Sequence, residues 1–113
     1  MLVAVYGTLK QGYGNHAIML RVGGVLEGTD RIYGYEMYSG GGFPVVYPVD
    51  DQSKGIDIEV YRIDDVAPLD SLEGHPRWYR RIEVPTVHGK AWIYLMQDES
   101  YKNSWNLLES GNF

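Results

Sequence analysis

The first apolar run, Leu2-Val3-Ala4-Val5-Tyr6, is too short for an ordinary helix and suits a strand buried on both faces. It stops at Gly7-Thr8-Leu9-Lys10-Gln11-Gly12-Tyr13-Gly14, where three glycines in eight residues break regular structure. Asn15 then stands as an N-cap for a helix carrying Ile18, Met19 and Leu20. From Val25 to Val60 the pattern is one of strands and turns. Residues 31–38 are tyrosine-rich and extended, and 39–42 form a flexible glycine turn. Residues 43–48 read as an edge-like strand, because prolines cannot donate to a ladder. A second turn falls at 50–53. Ile56-Asp57-Ile58-Glu59-Val60-Tyr61 alternates apolar and polar positions, a half-buried strand with Asp57 and Glu59 on the solvent side.

The period then changes. Val66, Leu69 and Leu72 fall three apart and mark one face of a helix that Asp64 or Asp65 can cap, with Pro68 tolerated in its first turn. Leu69 and Leu72 are expected to bury that face. Glu73 is rotated roughly 100° from Leu72 and sits at the margin of the stripe. Gly74 and Pro76 end the helix. Arg80 to Val84 is a strand, and 87–95 a hairpin turning near His88-Gly89. The tail from Gln97 is polar, with Tyr101, Trp105, Leu107, Leu108 and Phe113 as anchors. Six or seven short strands with two short helices predict a mixed α/β (α+β) fold. The expected form is a small closed or nearly closed β-barrel with the helices packed outside.

Composition narrows the chemistry more than the fold. At 113 residues the chain is expected to be one domain, 1–113. It has no cysteine, which removes disulfides, thiolate metal sites and a cysteine nucleophile. A net charge of -5 with no basic run argues against a nucleic-acid partner. Ten tyrosines and fourteen glycines, with alanine scarce, suit strands and turns over long helices. No cationic leader precedes the first apolar run, which is far too short to span a membrane. A soluble, cytoplasmic protein is expected.

Two stretches carry candidate chemistry. A glycine loop between a buried strand and a helix presents backbone N–H groups to an anion. The spacing of Gly7, Gly12 and Gly14 matches neither a Walker loop nor a dinucleotide fingerprint, and a structural tight turn accounts for it equally well. Glu73 sits on the last turn of a helix, near the negative end of the macrodipole, which disfavours its charged form. If half-buried, it would titrate in the range useful to a general base. On this stretch alone a solvated helix-end glutamate is the simpler reading. His16, His75 and His88 have no metal-ligand spacing. His16 reads as fixing the loop, and one of Arg80 and Arg81 as pairing with Asp70 or Glu83.

Taken together, the stretches resemble a known family. An apolar strand, Tyr6-Gly7-Thr8-Leu9-Lys10, a glycine and Asn15-His16 come first. Leu69-Asp70-Ser71-Leu72-Glu73-Gly74, Pro76 and Tyr79-Arg80-Arg81 follow later in the same order as in the gamma-glutamyl cyclotransferase superfamily. The resemblance is to its short gamma-glutamylamine cyclotransferase-like branch. Phe43-Pro44, the 55–61 strand, Ala91-Trp92-Ile93-Tyr94 and Ser110-Gly111-Asn112-Phe113 agree with it too. The resemblance implies that Tyr6, Gly7, Thr8 and Leu9 hold a glutamyl head, that Glu73 acts as acid and base, and that Tyr79 walls the pocket. It also implies a cofactor-independent reaction on a small gamma-glutamyl compound, with 5-oxoproline and a free amine as products. The short chain and the glycine-rich middle are two departures from the family, so the leaving-group end of the pocket is expected to differ from that of other members. Two alternatives stand beside the enzyme. One is a binding module that holds a small carboxylate in the same pocket without chemistry. The other is an interaction domain whose pocket is plugged and whose Glu73 is paired to an arginine.

Overall fold

The computed structural model describes all residues, 1–113. Eight strands and three short helices follow one another along the chain. They are β1 (Leu2–Val5), α1 (His16–Arg21), β2 (Val25–Tyr33), β3 (Tyr35–Ser39), β4 (Pro44–Pro48), β5 (Gly55–Arg62), α2 (Ala67–Glu73), β6 (Tyr79–Thr86), β7 (Gly89–Met96), α3 (Tyr101–Ser104) and β8 (Asn106–Leu107). The mixed α/β character is as expected. Neither sheet, however, closes into a barrel: one is five-stranded in the order β2-β5-β1-β7-β6, the other three-stranded in the order β4-β3-β8.

β1 occupies the middle of the larger sheet, antiparallel to β5 and parallel to β7. Its alternate side chains feed two cores. Ala4 and Tyr6 join Ile56, Ile58 and Val60 of β5 with Met37 and Val46 of the smaller sheet, so this core lies between the sheets. Val3 and Val5 point the other way, toward Met19 of α1 and Leu69 of α2. Burial on both faces is what a continuous apolar run predicts, and Val3, Ala4 and Val5 are all buried.

Several elements differ from the pattern-based expectation for local reasons. The extended 31–38 segment is cut into β2 and β3 by Gly34, whose φ of +89° only glycine adopts readily. β6 runs through Pro85 to Thr86 because it is an edge strand, where a missing N–H costs no ladder bond. The hairpin therefore turns at Val87-His88, one residue earlier than expected. Asp57 and Glu59 are not simply solvated. Asp57 pairs with Arg31 at 2.9 Å, and Glu59 accepts from the Gln11 backbone at 3.0 Å and the Tyr61 hydroxyl at 2.8 Å. Tail residues that sequence shows only as anchors form α3 and β8. No helix is long and apolar enough to cross a membrane.

α2 begins where Asp65 accepts from the Ala67 N–H at 3.0 Å, and Pro68 occupies its first turn. It ends at Gly74, which takes the left-handed conformation (φ +64°, ψ +36°). Leu69 is fully buried, but Leu72, expected beside it, is 38% exposed. The three-residue spacing locates a face; it does not reveal that the face opens onto a hollow.

Candidate active site

That hollow is a cavity of about 350 Å³, within the range of pockets that bury a small ligand. The end of β1 and its loop contribute Ala4 to Leu9, with Asn15 behind them. The end of α2 contributes Leu72 and Glu73, the start of β6 Trp78 and Tyr79, and β7 Tyr94. The segment leading into β4 adds Gly42, Phe43 and Pro44. All six residues singled out from sequence, Tyr6, Gly7, Thr8, Leu9, Glu73 and Tyr79, therefore meet at one cavity.

The loop is shaped by its own hydrogen bonds. Lys10 N–H donates to Gly7 C=O at 3.0 Å and Asn15 N–H to Thr8 C=O at 2.9 Å. His16 Nδ1 lies 2.9 Å from Leu9 C=O, in the loop-fixing role expected of it. Asn15 does not cap α1 with its side chain; its amide donates to Thr8 Oγ1 at 2.9 Å instead. This occupies the Thr8 hydroxyl locally. The backbone N–H groups of Gly7, Thr8 and Leu9 donate to no acceptor in the protein. Unpaired backbone donors are rare in protein interiors, and here three in succession line a cavity. Close approach sets the residue at position 7: a Cβ there would stand 2.8 Å from both Cδ and Cγ of Pro44.

The same cavity is lined by one carboxyl group, that of Glu73. Glu73 is half-buried and makes neither a hydrogen bond nor an ion pair, whereas Asp70, one turn earlier, is held by Arg81 at 2.9 Å. Burial without a compensating partner raises the Glu73 pKa from 4.5 to about 7. Its place at the helix C-terminus acts in the same direction. Three tyrosines surround the group. Tyr6 donates to Tyr94 C=O and Tyr79 to Pro44 C=O at 3.1 Å, while the Tyr94 hydroxyl donates to Asp70 at 2.7 Å. Burial, followed by neighbouring negative charge, pushes the Tyr6 and Tyr79 phenols up, so they remain neutral donors. No three histidine, aspartate or glutamate side chains converge as a cation site.

Asp70, Arg81 and Tyr94 form the brace beneath Glu73. Burial works against the Asp70 charge, but hydrogen bonds from Arg81 and Tyr94 outweigh it and hold the carboxyl below its usual range. The brace ties α2 to β6 and β7 three residues before Glu73. Asp70→Ala leaves a half-buried guanidinium and a phenol without their acceptor, at a cost of about 2–4 kcal/mol. A lower denaturation midpoint is expected, with a smaller fall in any turnover than loss of the Glu73 carboxyl produces.

Phe43, Pro44, Trp78 and Tyr94 are among the lining residues to which sequence reasoning gave no site role. The signal available for the first two was the run of glycines at 40–42 just before them. Gly40 and Gly41 lie against the Trp105 ring, where an added Cβ would come within 2.8 and 2.7 Å of it.

The sequence profile of the family described as "Gamma-glutamyl cyclotransferase, AIG2-like" matches residues 3–113. A relative named "Gamma-glutamylcyclotransferase family protein YtfP", from Escherichia coli strain K12, is 35% identical over 115 residues, covering 100% of this chain and 96% of its own. The solution structure of Escherichia coli ytfP superposes with a TM-score of 0.75 at 33% identity, covering 100% of this chain and 96% of that one. The crystal structure of a Pyrococcus horikoshii protein superposes with a TM-score of 0.80 at 27% identity, over 100% of this chain and 89% of that one.

Proposed function

The chain belongs to the gamma-glutamyl cyclotransferase, AIG2-like family, and from that premise we propose that it cleaves a gamma-glutamyl amine to 5-oxoproline and a free amine, with Glu73 as general acid and base. One observation carries this reading: unpaired backbone donors at Gly7–Leu9 and an unpaired, half-buried carboxyl at Glu73 line the same cavity.

The chemistry asks little more. The substrate holds its own nucleophile, the alpha-amine, and its own electrophile, the gamma-amide carbonyl. Positioning such an intramolecular attack can supply roughly 7–11 kcal/mol of the barrier. Ionised Glu73 takes one proton from the alpha-ammonium. The freed amine attacks the gamma-carbon, the new C–N bond closes a five-membered ring, and the carbonyl pair moves onto oxygen. As that pair returns, the bond to the departing nitrogen breaks while Glu73 hands it the proton. Two protons leave the attacking nitrogen in all, and both finish on the released amine as its ammonium. Atoms and charge balance without water or any co-reactant. The free N–H groups of the loop are suited to the alpha-carboxylate or to the developing oxyanion, where one fixed donor is worth about 3–4 kcal/mol.

Incubating the protein with a gamma-glutamyl amide and measuring 5-oxoproline tests the proposal. Saturable binding with no product after long incubation would favour the binding module instead. The pH profile adds a second check. Because Glu73 must be ionised to accept the proton, kcat/KM should fall on the acid side with a midpoint near pH 7, following its raised pKa of about 7. A profile flat from pH 5 to 8 would point to another base.

A further inference from the structure

Resting on the reading above, we infer that the departing amine carries a neutral apolar substituent, best an aromatic ring, held at the cavity mouth by Trp78, Phe43 and Leu72. The lining divides by exposure. Ala4, Val5, Tyr6, Leu9, Tyr79 and Tyr94 are buried, forming a floor. Trp78, Phe43 and Leu72 line the same cavity but are 63%, 37% and 38% exposed, so they form its rim. A head group gripped at the floor leaves its amide substituent pointing at those three side chains.

The rim is apolar and its rings are supported. Phe43 packs edge-on against Trp105 with centroids 5.0 Å apart, and Trp105 is backed by Tyr101 at 4.7 Å. Trp78 follows a turn in which its N–H donates to Gly74 C=O at 2.9 Å, which places the indole beside the end of α2. Aromatic pairs gain about 0.5–1.5 kcal/mol beyond their buried area, so a ring between Phe43 and Trp78 would be favoured over a chain of equal size.

Charge excludes the other classes. No lysine, arginine or histidine lines the cavity. Lys10 is turned to Asn112 and Phe113, Arg81 is held by Asp70, and Arg77 and Arg80 are exposed beyond the lining. A leaving group bearing a carboxylate would therefore meet no cation on the lining and would be repelled by ionised Glu73. A cationic amine would find aromatic faces, but the one carboxylate of the lining lies deeper, engaged with the reacting nitrogen.

A panel of amides sharing one gamma-glutamyl head tests this: the benzylamide, the methylamide, the glycine conjugate and the 5-aminopentylamide. Product release should give a kcat/KM for the benzylamide at least about tenfold above that of the glycine conjugate and above that of the aminopentylamide. Trp78→Ala should pull the benzylamide-to-methylamide ratio toward one, and its circular dichroism should match that of the parent. A glycine conjugate or aminopentylamide turned over as well as the benzylamide would overturn the inference and leave the cyclotransferase reading intact. If no amide yields 5-oxoproline, the cyclotransferase reading fails. Calorimetric binding of the same four compounds then decides the rim alone, equal affinities overturning it and a benzylamide preference lost in Trp78→Ala supporting it.

Discussion

Glu73→Gln should lose about 10²–10⁴-fold in turnover and, above pH 7, unfold at a higher temperature than the parent protein. Both effects come from one property of the site. The side chain is half-buried with no donor to satisfy its charge, and its pKa stands at about 7 in the fold against 4.5 ordinarily. Between those values the unfolded chain is ionised while the folded chain still holds its proton. The folded state then binds more protons, so stability falls as pH rises through this window and stays lost above it. The loss is up to about 3 kcal/mol, because each tenfold change in proton affinity is worth about 1.36 kcal/mol. Glutamine keeps the shape, carries no charge at any pH and escapes the penalty. The two proteins should therefore melt together near pH 4 and diverge toward pH 8, by several degrees for a domain of this size. A variant that turns over substrate like the parent would remove Glu73 from the mechanism. A variant no more stable at pH 8 would mean that the carboxylate is better solvated than its surroundings indicate. Catalytic groups are commonly held at a cost in stability, and here both quantities can be read on one substitution.

The two halves of this site were unequally legible in the sequence. Local pattern placed Glu73 at a helix end, where Gly74 and Pro76 follow a three-residue apolar spacing, and placed a glycine loop at the end of a buried strand. Neither stretch alone favoured a site over a solvated glutamate and a tight turn; their joint order along the chain, as in the family it resembles, did. What joins them could not be read that way. Pro44 reaches Gly7 because β4, in the smaller sheet, lies against the larger one. Trp78 reaches the mouth through the turn after α2. The first placement depends on residues distant in the chain and the second on an irregular local turn, and neither leaves a periodic mark. Leu72 shows the same limit in reverse: its spacing matched a buried face, but the face it shares with Leu69 runs out over a cavity. Strand count, likewise, carries no information about closure. The eight strands divide into two open sheets, a partition set by which edges pair.

The contact between Gly7 and Pro44 predicts the second large effect. Gly7→Ala should cut turnover by about 10²-fold or more, while Gly14→Ala, further along the same loop, should be nearly silent. Gly7 does not occupy the left-handed region, so alanine meets no backbone penalty there and the whole effect is steric. The new methyl would stand 2.8 Å from Cδ and Cγ of Pro44, inside contact distance of a rigid ring. That ring cannot simply retreat, because the carbonyl of Pro44 accepts from the Tyr79 hydroxyl and Val45 beside it is fully buried. The loop must move instead, at an overpacking cost of about 1–3 kcal/mol. Displacement of one fixed donor from a developing oxyanion costs about 3–4 kcal/mol, the equivalent of about 10²–10³ in rate. At Gly14 an added Cβ meets nothing within 4 Å and φ is again outside the left-handed region. Steady-state kinetics on the pair, with melting curves for each, separate the alternatives. Equal losses in both variants would mean that the loop responds as a whole to any added side chain. Full activity in Gly7→Ala, with its melting point lowered, would leave the contact real but take the 7–9 amides out of catalysis.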